Sequence, residues 1–272
     1  MGTVPTHPNL LDWLAVEFIE NGWDMKSLIK LIVMSGAYRQ ESNVNPESFE
    51  KDPDNQLLAR GPRFRLSAEM IRDQALAVAG LLSPKMYGQP ARPPQPKLGI
   101  SAAFGGGIDW KTSEGEDKYR RGIYTSWRRS NPYPSMATFD APNRVVCVVR
   151  RDRTNTPLQA LVTLNDPVYV EAAQALAREM YQVSSKEKDS ASGISHGFRI
   201  CLSRPAKPEE IDGLEKLFKK VYNTYKQDPK LAEMMVTQPM VKNQKGLDNS
   251  KLAALTVVGN VLLNLDEFLM KR

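Results

Sequence analysis

The stretch FDAPNRVVCVVRRDRTNTPLQALVTLNDP, residues 139–167, contains the strongest structural signals in the sequence. Thr156 and Asp166 each precede a proline, and a cap residue followed by proline is typical of a helix start. Gln159, at the third helical position, predicts a capping box in which its side chain reaches back to the Thr156 amide. The β-branched run from Val145 to Val149 predicts a short strand. The segment therefore predicts one strand followed by two helices.

A basic cluster surrounds the first of these helix starts. A guanidinium is planar and always charged, so it can bind carboxylates, phosphates and sulfates through paired hydrogen bonds. Free amides at a helix start add to anion binding. The candidate ligand-binding residues are Arg144, Arg150, Arg151, Arg153, Asn155 and Asn165. The structural alternative is that these arginines form ion pairs with Glu69, Asp73, Asp140, Asp152 or Asp166.

The 272 residues include 37 basic and 31 acidic side chains, giving a net charge of +6. A basic balance fits an anionic polysaccharide, a nucleic acid or an acidic protein as partner. The sequence has no zinc finger, RNP aromatic motif or basic arm, which disfavours nucleic acid. No apolar run approaches the roughly 20 residues that a membrane helix needs. No signal peptide is visible, and the chain opens at once into a structured pattern, which indicates a fragment of a longer protein.

The cysteines and histidines are too few and too scattered for the common metal and haem motifs. The sequence has no CxxC or CxxCH, so we expect no metal and no cofactor in this chain. Cys147 and Cys201 could pair in an exported protein or stay free, with Cys147 buried among valines. His7 and His196 lack a clear carboxylate partner, and His7 is expected to support the first helix pair.

The hydrophobic periodicity predicts a mainly α-helical fold with a small two-stranded β element and a long irregular loop rich in proline and glycine. The strands are expected at 119–127 and 145–149, paired with each other, and the irregular loop at 84–107. The second helix is apolar almost all round, which predicts burial. We expect one domain, 1–272, which could divide into 1–130 and 131–272. Further helices are expected at 9–21, 25–36, 68–82, 168–181, 194–202, 209–225, 231–237 and 251–270, with polar loops at 39–63 and 184–192. Asp24, Ser67 and Ser250 are the predicted caps of the helices that begin at 25, 68 and 251.

Motifs along the whole chain resemble the C-terminal domain of large planctomycete-type surface or periplasmic proteins, catalogued as domain of unknown function fifteen fifty-three. These motifs are HPNLLDWLA at 7–15, SGAYRQ at 35–40, RFRLSAEMIRD at 63–73, YRR at 119–121, the segment 139–167 and NLDEF at 264–268. The resemblance implies an exported parent protein with upstream domains, which often include a cytochrome c domain. Members are often encoded near sulfatases and other polysaccharide-degrading enzymes, which implies a link to polysaccharide use.

Two classes of function remain open from the sequence. The first is an accessory module that binds an anionic glycan or scaffolds partner domains. The alternative is part of a composite enzyme site, redox in character, completed by haem-linked upstream domains. No GxSxG or HExxH motif is present, and Asp166 and Asp152 are better explained as a helix cap and a solvated charge than as an acid/base pair. Aromatic residues that could stack on sugars, or belong to the core, are Tyr119, Tyr124, Trp127, Tyr133 and Phe139.

Overall fold

The computed structural model describes residues 4–96, 110–129, 132–148, 150–240 and 246–271. The chain forms two compact units. The N-terminal unit comprises Met1–Phe64 with Met270–Arg272, and the core unit comprises Arg65–Leu269. The fold is mainly helical with a small antiparallel two-stranded sheet, which confirms the predicted fold class. The expectation of a single family domain over 1–272 stays a prediction.

The helices and strands of the described residues follow one another in this order. The N-terminal unit contains α1 (Pro8–Glu20), α2 (Met25–Met34) and α3 (Pro46–Lys51). The two strands are β1 (Phe64–Arg65) and β2 (Met270–Lys271). The core unit contains α4 (Ala68–Val78), α5 (Pro134–Thr138), α6 (Pro157–Asn165), α7 (Pro167–Glu187), α8 (Ser190–Leu202), α9 (Pro208–Gln227), α10 (Pro229–Thr237), α11 (Asn249–Asn264) and α12 (Asp266–Leu269).

Short polar side chains start most of these helices, because they satisfy amides of the first turn that have no partner within the helix. The predicted caps Asp24, Ser67, Thr156 and Asp166 all accept a hydrogen bond from their first turn. The last long helix is capped by Asp248 rather than by the predicted Ser250, since the Asp248 carboxylate accepts from the Ser250 amide at 2.9 Å. The sequence thus located the helix starts to within a few residues.

Two helices form the centre of the core unit. Ten residues of α7 and ten of α11 are buried, more than in any other described helix, and the two pack against each other. Small residues permit this close approach: a Cβ on Gly259 would lie 3.2 Å from the carbonyl oxygen of Ala173. Helices α8, α9 and α10 cover α11 from further sides. The core therefore depends on alanine and glycine where the helices cross.

The predicted strands are wrong in position. Two 3-10 turns, Gly115–Tyr119 and Gly122–Tyr124, lie here instead. The residue that follows each turn, Arg120 and Thr125, forms an isolated bridge to Ser83 and to Ala91, respectively. Arg120 is buried here and donates to the carbonyl oxygens of Lys85, Tyr87 and Gln89, so this backbone is fixed by a side chain rather than by a ladder. Residues 145–148 have no regular structure, and Val149 lies outside the described residues.

Several other boundaries differ from the predictions. The irregular loop is confirmed for its described part, 84–96, and residues 97–107 lie outside the described residues. The expected loop at 39–63 contains α3. The expected loop at 184–192 is mostly helical, because α7 continues to Glu187 and a left-handed Lys188 separates it from α8. The expected helix 251–270 is interrupted at Leu265, which has extended backbone angles.

The fold predicts a large effect of adding one methyl group where α8 meets α7. A Cβ on Gly193 would clash with the Ser184 hydroxyl and the Met180 carbonyl oxygen, neither of which is the flexible end of a long side chain. We expect Gly193→Ala to lower the free energy of unfolding by about 1–3 kcal/mol, measured by urea denaturation.

The matched control is Gly213→Ala in α9, where a Cβ meets nothing within 4 Å. Alanine is the better helix former, so this change should raise stability by about 0.5–1 kcal/mol. Equal effects of the two substitutions would contradict the proposed close packing of α8 on α7.

Candidate functional site

The basic segment, residues 144–153, follows α5 and precedes α6. Its described residues, 144–148 and 150–153, have irregular backbone, and its four arginines are exposed. Arg151 forms an ion pair with Glu69 at 2.7 Å, which is one of the structural pairings that the sequence allowed. The Arg144 guanidinium lies 5.1 Å from the ring of Trp127. Arg150 makes no ion pair with any residue in the described part of the chain. The structure therefore accounts for some of these charges but leaves Arg150 available to solvent.

The two asparagines of the predicted set do not lie together. Asn155 is exposed just before α6, next to the arginines. Asn165 is the last residue of α6, and its side chain donates to the Leu161 carbonyl oxygen at 2.8 Å. The nine residues of α6 span about 13 Å, so Asn165 lies at the other end of α6 from the arginines. It is not part of a common site with them.

A polar clasp fixes the end of the basic segment against α6. The Asp140 carboxylate accepts from the Thr154 amide at 2.7 Å and from the Thr154 hydroxyl at 2.8 Å. The buried Gln159 side chain donates to the Thr138 carbonyl oxygen at 3.0 Å and to the Thr154 hydroxyl at 3.1 Å. The predicted capping box is thus only half formed, because Gln159 bonds to this clasp instead of the Thr156 amide.

A small crevice lies between the basic segment, the first residues of α4 and the start of α6. Its volume is about 30 Å³. Arg65 and Gln159 line it. Each carries a buried polar atom with no hydrogen-bond partner among the described residues, the Arg65 Nε donor and the Gln159 Oε1 acceptor. The lining residues are Arg65, Leu66, Ser67, Ala68, Phe139, Asp140, Arg151, Asp152, Arg153 and Gln159. The crevice therefore brings together hydrogen-bond donors and acceptors, and side chains of positive and of negative charge.

A second, much larger concavity lies within the N-terminal unit. Helices α1 and α2 form a helical pair, and the groove along them has a volume of about 970 Å³ with mainly apolar walls. Neither helix has a buried residue. The apolar lining of the groove includes Leu10, Trp13, Phe18, Leu28, Ile32 and Met34.

The expectation that α2 is buried is therefore wrong. Ile29 and Met34 of α2 are 53% and 60% exposed, and Trp13 of the neighbouring α1 is 50% exposed. The sequence did carry a signal for this surface. The N-terminal unit has too few residues to cover two helices that are apolar on several sides, because small units bury only a modest part of their surface.

The remaining residues singled out in the sequence have ordinary partners. His196 lies 3.0 Å from Glu179, so it does have a carboxylate partner, and His7 precedes α1 without capping it through its side chain. Both cysteines are free, but Cys147 is exposed rather than buried. Burial raises the pKa of the Cys201 thiol to about 12. The described residues contain no group of three or more His, Cys, Asp or Glu that could hold a metal ion.

The aromatic residues belong mainly to the packing of the core unit. Tyr133 and Phe139 are buried, and Tyr133 stacks on Trp110 with ring centroids 5.7 Å apart. Tyr119 donates to the Glu171 carboxylate at 2.6 Å. Trp127 is half-buried beneath Arg144. Sugar stacking on these five rings is therefore restricted to the partly exposed ones, Tyr119, Tyr124 and Trp127.

The comparisons with known proteins place the chain in a family. A family model described as "PSD1: Protein of unknown function (DUF1553)" matches residues 1–218. The chain belongs to this family. The match covers residues 1–64 of the N-terminal unit and the core unit as far as Phe218 in α9, so it includes helices α1 and α2 and the basic segment. No curated protein and no solved structure matches the chain. Among the described residues, no helix is both long and apolar enough to cross a membrane.

One buried carboxylate makes the stability of this protein pH-dependent. Burial raises the pKa of Asp166, the cap of α7, to about 6, although the hydrogen bond from the Val168 amide and the buried guanidinium of Arg72 partly oppose the shift. The folded protein binds this proton more tightly than the unfolded chain, whose value is 3.8. The stability that the protonated Asp166 side chain provides is therefore fully present below about pH 4 and is lost as the pH rises through 6.

Asp166→Asn keeps a capping side chain and removes the buried charge. We expect the free energy of unfolding of the variant to exceed that of the wild type by about 1–3 kcal/mol at pH 7.5, because two pKa units correspond to roughly 3 kcal/mol. The difference should shrink towards zero at pH 3.5, where the proton is mostly bound in the folded and the unfolded state alike. Urea denaturation at both pH values tests this expectation. The control variant is Asp248→Asn, which makes the same change at the exposed cap of α11. A variant that is less stable at pH 7.5 would rule out the proposed cost of the buried charge.

Proposed function

We propose that this chain is a scaffolding module whose N-terminal unit binds a helical partner domain. One observation carries the proposal: α1 and α2 expose their apolar residues instead of burying them. Burying one such side chain is worth about 1.5–3 kcal/mol, so the pair leaves on the order of 10 kcal/mol of apolar burial unrealised. An exposed apolar surface of this extent is typical of a binding site. The apolar residues exposed on the pair include Leu10, Leu11, Trp13, Val16, Ile19, Met25, Ile29, Leu31, Ile32, Val33 and Met34.

The distribution of these residues indicates what kind of partner fits. Leu28 and Ile32 face the groove, whereas Ile29 and Val33 lie outside it. Successive residues of a helix are about 100° apart, so α2 presents apolar side chains on more than one side. A membrane surface or a single peptide covers only one side. A folded domain with several helices can cover both, and it fits best.

The charge of α1 narrows the partner further. Asp12, Glu17 and Glu20 are the charged residues of α1, and the helix has no lysine or arginine. A partner with basic residues beside an apolar helical face would match this surface. We propose an upstream domain of the same parent protein as this partner, which is what the family resemblance implies. The exported location and the polysaccharide link that the resemblance also implies stay proposals alongside it.

Hydrogen exchange tests the scaffolding proposal directly. Amides of α1 and α2 should exchange at least about tenfold more slowly in the intact parent protein than in this chain alone, because a bound domain shields them from local opening. Ile29→Glu should remove that protection in the parent protein while changing the stability of the isolated chain by less than about 0.5 kcal/mol.

Met234→Glu in α10 is the matched control, since it also places a carboxylate on a half-exposed apolar position. It should leave the protection of α1 and α2 unchanged. Equal exchange of these two helices in the isolated chain and in the parent protein would rule out a partner domain on this surface.

A second candidate function is the binding of an anionic glycan at the basic segment. The sequence of the core unit, Arg65–Leu269, has 29 basic and 22 acidic residues, whereas the N-terminal unit has 8 and 9. The excess positive charge is thus confined to the unit that carries the arginines. Exposed Arg150, and Arg144 above an aromatic ring, can bind carboxylate or sulfate groups along a chain. No observation among the described residues favours the composite redox site.

Sulfated dextran tests this second candidate, with neutral dextran as the uncharged comparison. Binding should weaken strongly between 50 and 200 mM salt, because the contacts are ionic, and Arg150→Ala should weaken it about threefold or more. Lys230→Ala removes the same charge from an exposed position in α10 and should have no such effect. Identical affinity of the two variants would show that net charge alone, rather than the basic segment, attracts the polymer.

A further inference from the structure

We infer that the crevice between the basic segment, α4 and α6 binds two neighbouring hydroxyl groups of a sugar. The inference deepens the second candidate function and rests on it: the basic segment holds anionic groups of a glycan, and the crevice recognises its diol. Three features of the crevice carry this assignment, namely its unpartnered buried atoms, its balance of charge and its size.

The unpartnered atoms define the chemistry of the ligand. Within the described part of the chain, the Arg65 Nε is a buried donor without an acceptor, and the Gln159 Oε1 is a buried acceptor without a donor. Arg65 and Gln159 are 9% and 0% exposed, and both line the crevice. Leaving such groups unpaired is unfavourable. A hydroxyl group donates one hydrogen bond and accepts others, so it can satisfy both kinds of atom.

The charges around the crevice favour a neutral group over an anion. Three arginines line it together with Asp140 and Asp152. Two of these arginines are already balanced, because Arg65 lies 3.3 Å from Asp266 and Arg151 lies 2.7 Å from Glu69. With these two partners, four carboxylates stand against three guanidinium groups, so a carboxylate or sulfate inside the crevice would meet more negative than positive charge. Hydroxyl groups avoid this repulsion and use donors and acceptors equally.

The size of the crevice limits how much of a ligand can enter. A volume of about 30 Å³ has room for about two water-sized groups, since one requires roughly 10–15 Å³. Two adjacent hydroxyls on the edge of a sugar ring fill that space, whereas a whole ring does not. The rest of the sugar stays outside the crevice, next to the exposed arginines.

The clasp of Asp140, Thr154 and Gln159 holds this arrangement in place. The Gln159 amide nitrogen is fixed by the Thr138 carbonyl oxygen and the Thr154 hydroxyl, so its amide oxygen cannot rotate to find another partner. The buried ring of Phe139 lies 5.9 Å from the Arg65 guanidinium and limits its movement. Such fixed groups bind a hydroxyl pair without paying for much reordering.

Periodate cleavage of vicinal diols supplies a matched pair of probes. Lightly sulfated dextran is compared with the same polymer after periodate cleavage and borohydride reduction, which removes diols and keeps sulfate groups. The wild-type chain should bind the intact polymer about tenfold more tightly, because two hydrogen bonds are lost with the diol. Arg65→Lys keeps the positive charge beside Asp266 but lacks the Nε donor, and it should bind both polymers alike.

Two further measurements separate failure of this inference from failure of the anion proposal. Arg150→Ala should weaken binding of both polymers equally and preserve the preference for the intact one. Neutral dextran, which carries diols without charge, should shift the Arg65 Nε–H resonance of the wild-type chain in an NMR titration. An unchanged Arg65 resonance, or equal wild-type affinity for intact and cleaved polymers, would overturn the diol site. Loss of salt-dependent binding with a retained Arg65 shift would overturn only the anion proposal.

Discussion

The burial of α11 against α7 is the constraint on which the core unit depends. Both helices have small residues where they meet, so their backbones approach closely and every neighbouring helix packs on the pair they form. Asp166 starts α7 at the edge of this pair, and its burial follows from that position. The carboxylate satisfies the Val168 amide at 3.0 Å, but it is taken out of water to do so. The raised pKa of Asp166 is thus a consequence of the packing.

Sequence patterns predicted the elements whose signals are local. A proline after a cap residue marks a helix start regardless of tertiary contacts, and Thr156 and Asp166 behave as expected. Strand positions could not be predicted in the same way, because the observed strands have two residues each and pair across the length of the chain. A strand of only two residues is too short to show the alternating apolar pattern that marks a strand in a sequence. Val145 to Val148 have strand-like composition but pair with no strand among the residues that the structure describes, and composition alone does not supply a partner.

The candidate site shows the same division between local and distant determinants. The sequence identified the arginines, and the structure confirms an ion pair of Arg151 with Glu69, a residue 82 positions away. The sequence alone could not identify Arg65 or Gln159 as crevice residues. Their unpartnered atoms are recognised only when the positions of α4 and α6 are both known. The groove on α1 and α2 was missed for a different reason. An apolar pattern predicts that a surface will be covered, and it does not say whether the cover belongs to the same chain.

The two candidate surfaces differ in the physics of their binding, and this decides how they could act together. Apolar burial along α1 and α2 is insensitive to salt and strong enough for permanent association. Exposed arginines bind through screened charges, so each contact is weak and reversible. A permanent partner on the N-terminal unit and a reversible ligand on the core unit are therefore compatible in one protein. Because each unit carries one kind of surface, a substitution on one unit can change its binding and leave the other surface intact.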